Sequence, residues 1–151
     1  MPQQQFITFT IGDEEYGVDI MAIREIKGWT ATTSLPETPV YVRGVINLRG
    51  AIVPIFDLRA RFGGSLTEVS PRHVIIVLMT RDHLVGVLAD AVADVLTVQD
   101  SDVQPVPDIE GRHDTSALHG LVAVEGRMVA LLDLDRLLQN ETHHVIAGKA
   151  A

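Results

Sequence analysis

The 151-residue sequence contains no cysteine. That excludes thiol catalysis, thiolate metal sites and disulfides together, and it suits a reducing compartment. Aromatic residues make up only 5% of the chain, and 12 Lys plus Arg face 20 Asp plus Glu, for a net charge of −8. A nucleic-acid surface needs clustered cations interleaved with rings, so this balance argues against a phosphate-backbone partner. The longest apolar run, Val74 to Met79, is far short of the roughly 20 residues of a membrane helix. The opening MPQQQF has neither the cations nor the apolar segment of a secretory signal. The expectation is a soluble cytoplasmic protein, with no direct membrane insertion and no nucleic-acid partner. What is present is apolar: 46% hydrophobic residues and a mean hydropathy of +0.21, which predicts some apolar surface that meets partners. A chain of this length buries roughly 70% of its unfolded surface, so it folds without disulfides or metal.

One stretch organises the rest. Gly44 to Phe62 reads GVINLRGAIVPIFDLRARF, in which Val45 to Leu48 and Ile52 to Phe56 have the β-branched, apolar character of strands. Arg49-Gly50 stands between them as the two central residues of a hairpin loop, and Gly50 can take the positive φ that such a loop demands. Asp57 falls at a helix N-cap, its carboxylate able to accept backbone N–H bonds from a first turn containing Leu58 to Phe62.

The pattern returns. Gly120 to Leu138 reads GLVAVEGRMVALLDLDRLL, and an offset of 76 (120 − 44) places Gly120 on Gly44, Gly126 on Gly50, Val129 on Val53 and Asp133-Leu134 on Asp57-Leu58. Upstream, an offset of 69 (85 − 16) lays Val85-Gly86-Val87 over Tyr16-Gly17-Val18, and Val92, Asp94, Val95 and Pro105 over Ile23, Glu25, Ile26 and Pro36. The chain therefore reads as two copies of one unit. The seven extra residues of the second copy fit the polar loop around Ile109 to Thr115.

Taken in order, Phe6 to Ile11 is a strand, Gly12 to Glu15 a turn and Tyr16 to Asp19 a returning strand, followed by a short coil and an extended Arg24 to Ile26. Pro36 and Pro39 bracket the approach to a strand at Val40 to Val42. Gly63 to Pro71 is the boundary between copies. His73 to Met79, Leu84 to Leu88 and Ala93 to Val98 are the strands that follow, and Leu134 to Gln139 is a helix capped by Asp133. Short strands at intervals of roughly 8–12 residues with Gly and Pro turns predict a mainly β protein of small barrels or a sandwich. Two copies predict one domain, 1–151, made of two sub-barrels at about 6–64 and 72–139 with strands that can cross between them, and a flexible tail at 140–151.

Candidate chemistry is sparse. Asp133 and Asp135 form an Asp-x-Asp that a hard cation could use, yet Asp133 matches the cap Asp57 and Asp135 has no counterpart, so capping explains more. His143-His144 sit where nothing fixes their geometry, and His113 and His119 flank a loop without a nucleophile elbow to serve. No glycine cluster has a phosphate-binding spacing. The sequence predicts no enzyme, no metal and no cofactor. Arg49 is different: a planar five-donor fork at a rigid tip, beside Asn47 and Leu48, has the chemistry of an interface anchor. The second copy carries Glu125 there.

These residues bring a family into view. PETPVYVRGVINLRGAIVPIFDLRARFG, preceded by FTIGDEEYGVDIMAIREI and followed by VGVLADAVADVL and LLDLDRLL, closely resembles CheW, the coupling protein of bacterial chemotaxis, over nearly the whole chain. The resemblance implies two packed five-stranded SH3-like β-barrels with short helices. It also implies a non-catalytic adaptor joining the cytoplasmic signalling domain of chemoreceptors to the regulatory domain of the histidine kinase CheA, and held through those partners at membrane-bound receptor arrays. Carried over residue by residue, Ile23 and Glu25 in AIREI, Gly44 opening GVINLRG and Arg49 within NLRG match receptor-coupling positions, with Asn47 beside them. The kinase-contact residues stay unassigned. Phe56 departs from the family pattern, where a smaller aliphatic is common, and the second half matches more loosely. Alternatives are a CheW-like scaffold module of another two-component pathway, a small barrel protein with a different ligand, or a small metal hydrolase built on Asp133, Asp135 and the histidines. The chain's own start and stop, without an attached kinase or receiver domain, favour the free adaptor.

Overall fold

The computed structural model describes residues 3–81, 83–107 and 117–137. They form ten strands: β1 (Gln3–Ile11), β2 (Glu14–Asp19), β3 (Ile23–Gly28), β4 (Val42–Leu48), β5 (Ala51–Asp57), β6 (Val74–Thr80), β7 (His83–Ala89), β8 (Ala91–Gln99), β9 (Leu118–Val124) and β10 (Arg127–Leu132). A four-residue helix, α1 (Leu58–Arg61), follows β5. A single 3-10 turn at Ile20–Ala22, capped by the Asp19 carboxylate on the Met21 N–H, separates β2 from β3. Residues 134–137 are helical, and the rest of the helix expected to Gln139, the tail from 140, His113, His143 and His144 lie outside the described residues.

The protein is mainly β and the two sheets have five strands each. Their order differs from a simple division by copy. The first sheet runs β8-β1-β2-β10-β9 and the second β3-β6-β7-β5-β4. Each therefore takes two leading strands from one copy and three closing strands from the other. The join is a parallel pairing in both: Val129 to Leu131 on Glu15 to Gly17, and Ile55 to Asp57 on Gly86 to Leu88.

The repeat is visible in backbone detail. Arg49-Gly50 and Glu125-Gly126 both sit at positive φ, 51° and 92° against 46° and 83°, the left-handed pair that a two-residue hairpin turn needs to match strand twist. Thr33 bridges Val45 and Gln104 bridges Leu121. The Asp57 N–H reaches the Tyr41 carbonyl and the Asp133 N–H the Ala117 carbonyl, each at 2.7 Å. Val40 to Tyr41, expected as the head of a strand, is instead a turn in which the Val42 N–H donates to the Pro39 carbonyl at 3.0 Å, so β4 begins at Val42. Pro39, whose ring fixes φ and which cannot donate to a ladder, opens that turn.

Alternation along the strands sorts side chains into three layers. Val53 and Ile55 of β5 and Ile75 and Val77 of β6 face the interior of the second sheet, with Ile46 and Leu48. Phe6, Val98, Val122, Val129 and Leu131 fill the first sheet. Between the sheets lies the largest cluster, which includes Phe9, Val18, Phe56, Ile76, Leu78, Val85 and Val87. Phe9 and Phe56 are fully buried there, each contributing about 1.5–3 kcal/mol. The larger ring of Phe56 is accommodated by a tilted contact with Tyr41, centroids 6.3 Å apart.

Candidate functional site

The Arg49 hairpin stands at one pole of the second sheet. β3 and β4 are that sheet's two edges, and Arg49 Nη2 at the tip of the β4–β5 turn donates to Glu25 Oε1 on β3, so a side-chain ion pair spans the two edges at this pole. The tip is rigid: Asn47 Oδ1 accepts the Gly50 N–H at 2.7 Å, which holds the turn in the conformation that presents Arg49. Arg49 remains 73% exposed while Glu25 is 29% exposed. An exposed ion pair of this kind adds little stability. Its role is to fix where a guanidinium fork stands. The Asn47→Ala protein, losing one neutral hydrogen bond at the turn, is expected to unfold about 1 kcal/mol more easily, measured by urea titration.

The other expected site residues fall differently. Gly44 is buried in β4 with φ 134°, and a Cβ there would lie 2.3 Å from the Thr33 carbonyl oxygen. Its place is in the backbone that aims the hairpin. Ile23 is half-buried and packs against the central cluster. An apolar side chain that does reach solvent at this pole is Ile52, at 44% exposure, directly across from Asn47, whereas Ile26, next to Glu25 on β3 and 40% exposed, is turned to the opposite face of its strand by alternation. Ile52 was readable in the sequence, since Val53 and Ile55 face inward and strand alternation turns it out. The ion pair was not readable, because Glu25 and Arg49 belong to opposite edges.

At the matching pole of the first sheet, Asp94 and Glu125 take the places of Glu25 and Arg49. Two carboxylates cannot pin the edges together, and Glu125 instead lies 4.0 Å from Arg127. The two poles are therefore chemically distinct.

Two polar clusters lie elsewhere. Asp57, 1% exposed, accepts from Arg43 at 2.9 Å and from the Thr67 N–H and hydroxyl at 2.8 and 3.0 Å. It also accepts the Ala60 N–H at 3.4 Å, the expected helix cap. His73 was not singled out by sequence. Its Nε2 lies 3.1 Å from Asp90 Oδ1 and its Nδ1 3.1 Å from Ser70 Oγ, a serine, histidine and aspartate in series. The Nδ1 lone pair, however, accepts the Ser70 backbone N–H at 2.9 Å, and Ser70 Oγ accepts the Arg72 N–H at 3.3 Å. These contacts staple a turn. Asp133 caps its helix through the Arg136 N–H at 3.1 Å, and Asp135 lies 4.0 Å from Arg81. Among the described residues no three His, Asp or Glu side chains gather as a metal site, and no helix is long and apolar enough to cross a membrane.

Known proteins resemble this chain in sequence and in fold. A sequence profile of the CheW-like domain matches residues 5–142. The chemotaxis protein CheW of Rhizobium meliloti is 50% identical over 138 residues, covering 91% of this chain and 89% of that one. That of Klebsiella aerogenes is 41% identical over 138 residues, covering 91% and 83%. The crystal structure of the scaffolding protein TtCheW from Thermoanaerobacter tengcongensis matches with a TM-score of 0.81 at 30% identity, covering 91% of this chain and 89% of that one. Sequence and fold together define a small β adaptor of the chemotaxis machinery. The chain belongs to the CheW family.

Proposed function

We propose that this protein couples chemoreceptors to the histidine kinase CheA without any covalent step of its own, and that the receptor docks at the Arg49 pole. The observation that carries this reading is a largely exposed guanidinium on a rigid tip, oriented by a partner carboxylate and set beside the exposed side chain of Ile52. Fixed donor geometry beside apolar surface suits an interface anchor, because little side-chain entropy is lost on binding. Glu25 and Arg49 would set register by charge, Asn47 and Gly44 would hold the hairpin, and Ile23 would support β3 from beneath. A receptor that changes conformation alters these contacts between its two states, and that difference is what reaches the kinase. Such partners would place the protein at membrane-bound receptor arrays.

The test mixes the purified protein with a chemoreceptor cytoplasmic fragment and CheA, and follows co-sedimentation and kinase autophosphorylation. Formation of the ternary complex and receptor control of the kinase should both depend on this protein. A folded protein that binds neither partner would refute the reading. Arg49→Glu is expected to keep its circular-dichroism spectrum and melting transition yet bind the receptor fragment about tenfold or more weakly, since a charge reversal at an interface costs more than one on open surface. Unchanged receptor affinity in that variant would move the docking site elsewhere.

A further inference from the structure

A groove of about 680 Å³ opens where the central cluster reaches the surface beside the first sheet, and it shares no lining residue with the Arg49 pole. Its floor is apolar. Tyr16 and Phe62 stack there, centroids 5.5 Å apart, with the buried Phe9 ring behind Tyr16 at 5.9 Å, and Leu118, Leu121 and the half-exposed Met128 continue the surface. Its rim is acidic. Asp13, Glu14 and Glu15 line it against one cation, Arg127, which is held by Glu15 Oε1 at 2.7 Å.

The second oxygen of Glu15 carries the argument further. Glu15 Oε2 is buried and has no hydrogen-bond partner among the described residues. A buried carboxylate oxygen left unmatched is costly, so the site is short of one donor. Burial and the Glu14 carboxylate, in that order, also push the Tyr16 phenol above its usual range, as a negatively charged apolar pocket requires.

We propose that this groove docks an amphipathic segment of a partner protein that presents an Arg or Lys beside apolar side chains. The cation completes the shell of Glu15 and the apolar face covers Phe62, Leu121 and Met128. The segment's charge is specified by the rim and its amphipathicity by the floor. This surface stands independently of the receptor pole, and the two can fail separately.

The test titrates the full chain with a fluorescein-labelled 14-residue helical peptide of Leu and Arg, its Leu residues at i, i+3, i+4 and i+7 spacing, and with the same peptide carrying Glu for Arg. The basic peptide is expected to bind one to one and the acidic one not at all. Glu15→Gln should weaken the basic peptide about tenfold, whereas Glu68→Gln, which removes the same charge outside the groove, should change it less than about twofold. Met128→Lys, at an exposed position that folding tolerates, should abolish binding and serves as the readout if Glu15→Gln fails to fold. Binding of both peptides alike, equal losses in Glu15→Gln and Glu68→Gln, or no binding to the unmodified protein overturns the proposal.

Discussion

Asp57→Ala is expected to destabilise the protein by about 3–5 kcal/mol, because it leaves Arg43 partly buried without its counter-ion. The side chain is almost fully enclosed and ties three separate pieces together: Arg43 of β4, the α1 N-terminus and Thr67 in the connection to β6. Arg43 has one further acceptor, the Thr67 carbonyl at 3.0 Å, and its guanidinium lies 5.8 Å from the Trp29 ring. Neither neutralises it. Chemical denaturation of Asp57→Ala beside Asp133→Ala separates network from cap. Asp133 holds the same repeat position but serves its own helix, so its loss should cost only about 1 kcal/mol. Equal costs would show that Asp57 acts as a cap alone. The double variant Arg43→Met/Asp57→Leu should recover much of the loss, since it removes both charges.

Gly44→Ala is the second large effect, expected to cost about 3 kcal/mol from backbone strain and overpacking together. Its φ of 134° lies where side chains are rarely found, and the new methyl would sit 2.3 Å from a backbone oxygen that is itself held in a bridge. Gly120, its repeat mate, makes the comparison informative. A methyl there would meet the Val103 side chain at 2.4 Å and the Gln104 carbonyl oxygen at 2.9 Å, a looser backbone clash without the positive φ of Gly44, so Gly120→Ala should cost roughly half as much. Urea midpoints of the two variants decide between them. If Gly44→Ala unfolds no more easily than Gly120→Ala, strain at the hairpin base is not what holds the Arg49 tip.

Much of this was legible in the sequence because the repeat preserved the residues that fix backbone geometry. Arg49-Gly50 and Glu125-Gly126 marked both hairpins, and Asp57 and Asp133 marked both helix starts. The strand ends shifted by one to three residues, as at Gln3, where β1 begins ahead of Phe6, and at Val42, where proline turn geometry outweighed the β-branched run. What stayed hidden was long-range pairing. Nothing in the sequence states that β10 lies beside β2, or that Glu25 reaches Arg49, because both depend on how far each sheet curls. The Glu15–Arg127 pairing and the reach of His73 to Asp90 were hidden for the same reason: the partners come from separate parts of the chain, with no spacing to betray them.

The crossing of strands between copies bears on how the chain is made. As synthesis proceeds from the N-terminus, the β1-β2 hairpin emerges first but its neighbours β8 and β10 come last. The strands of the second sheet, by contrast, are all made once β7 has left the ribosome, and they can pair while the remaining two-fifths of the chain is still being translated. The early hairpin must wait with two open edges, a template for pairing with other chains. Sequence-distant closure of this kind is slow. The nascent protein's most hazardous interval therefore falls between the exit of β2 and the exit of β10, and the length of that interval is set by translation rate more than by the strength of any contact in the finished fold.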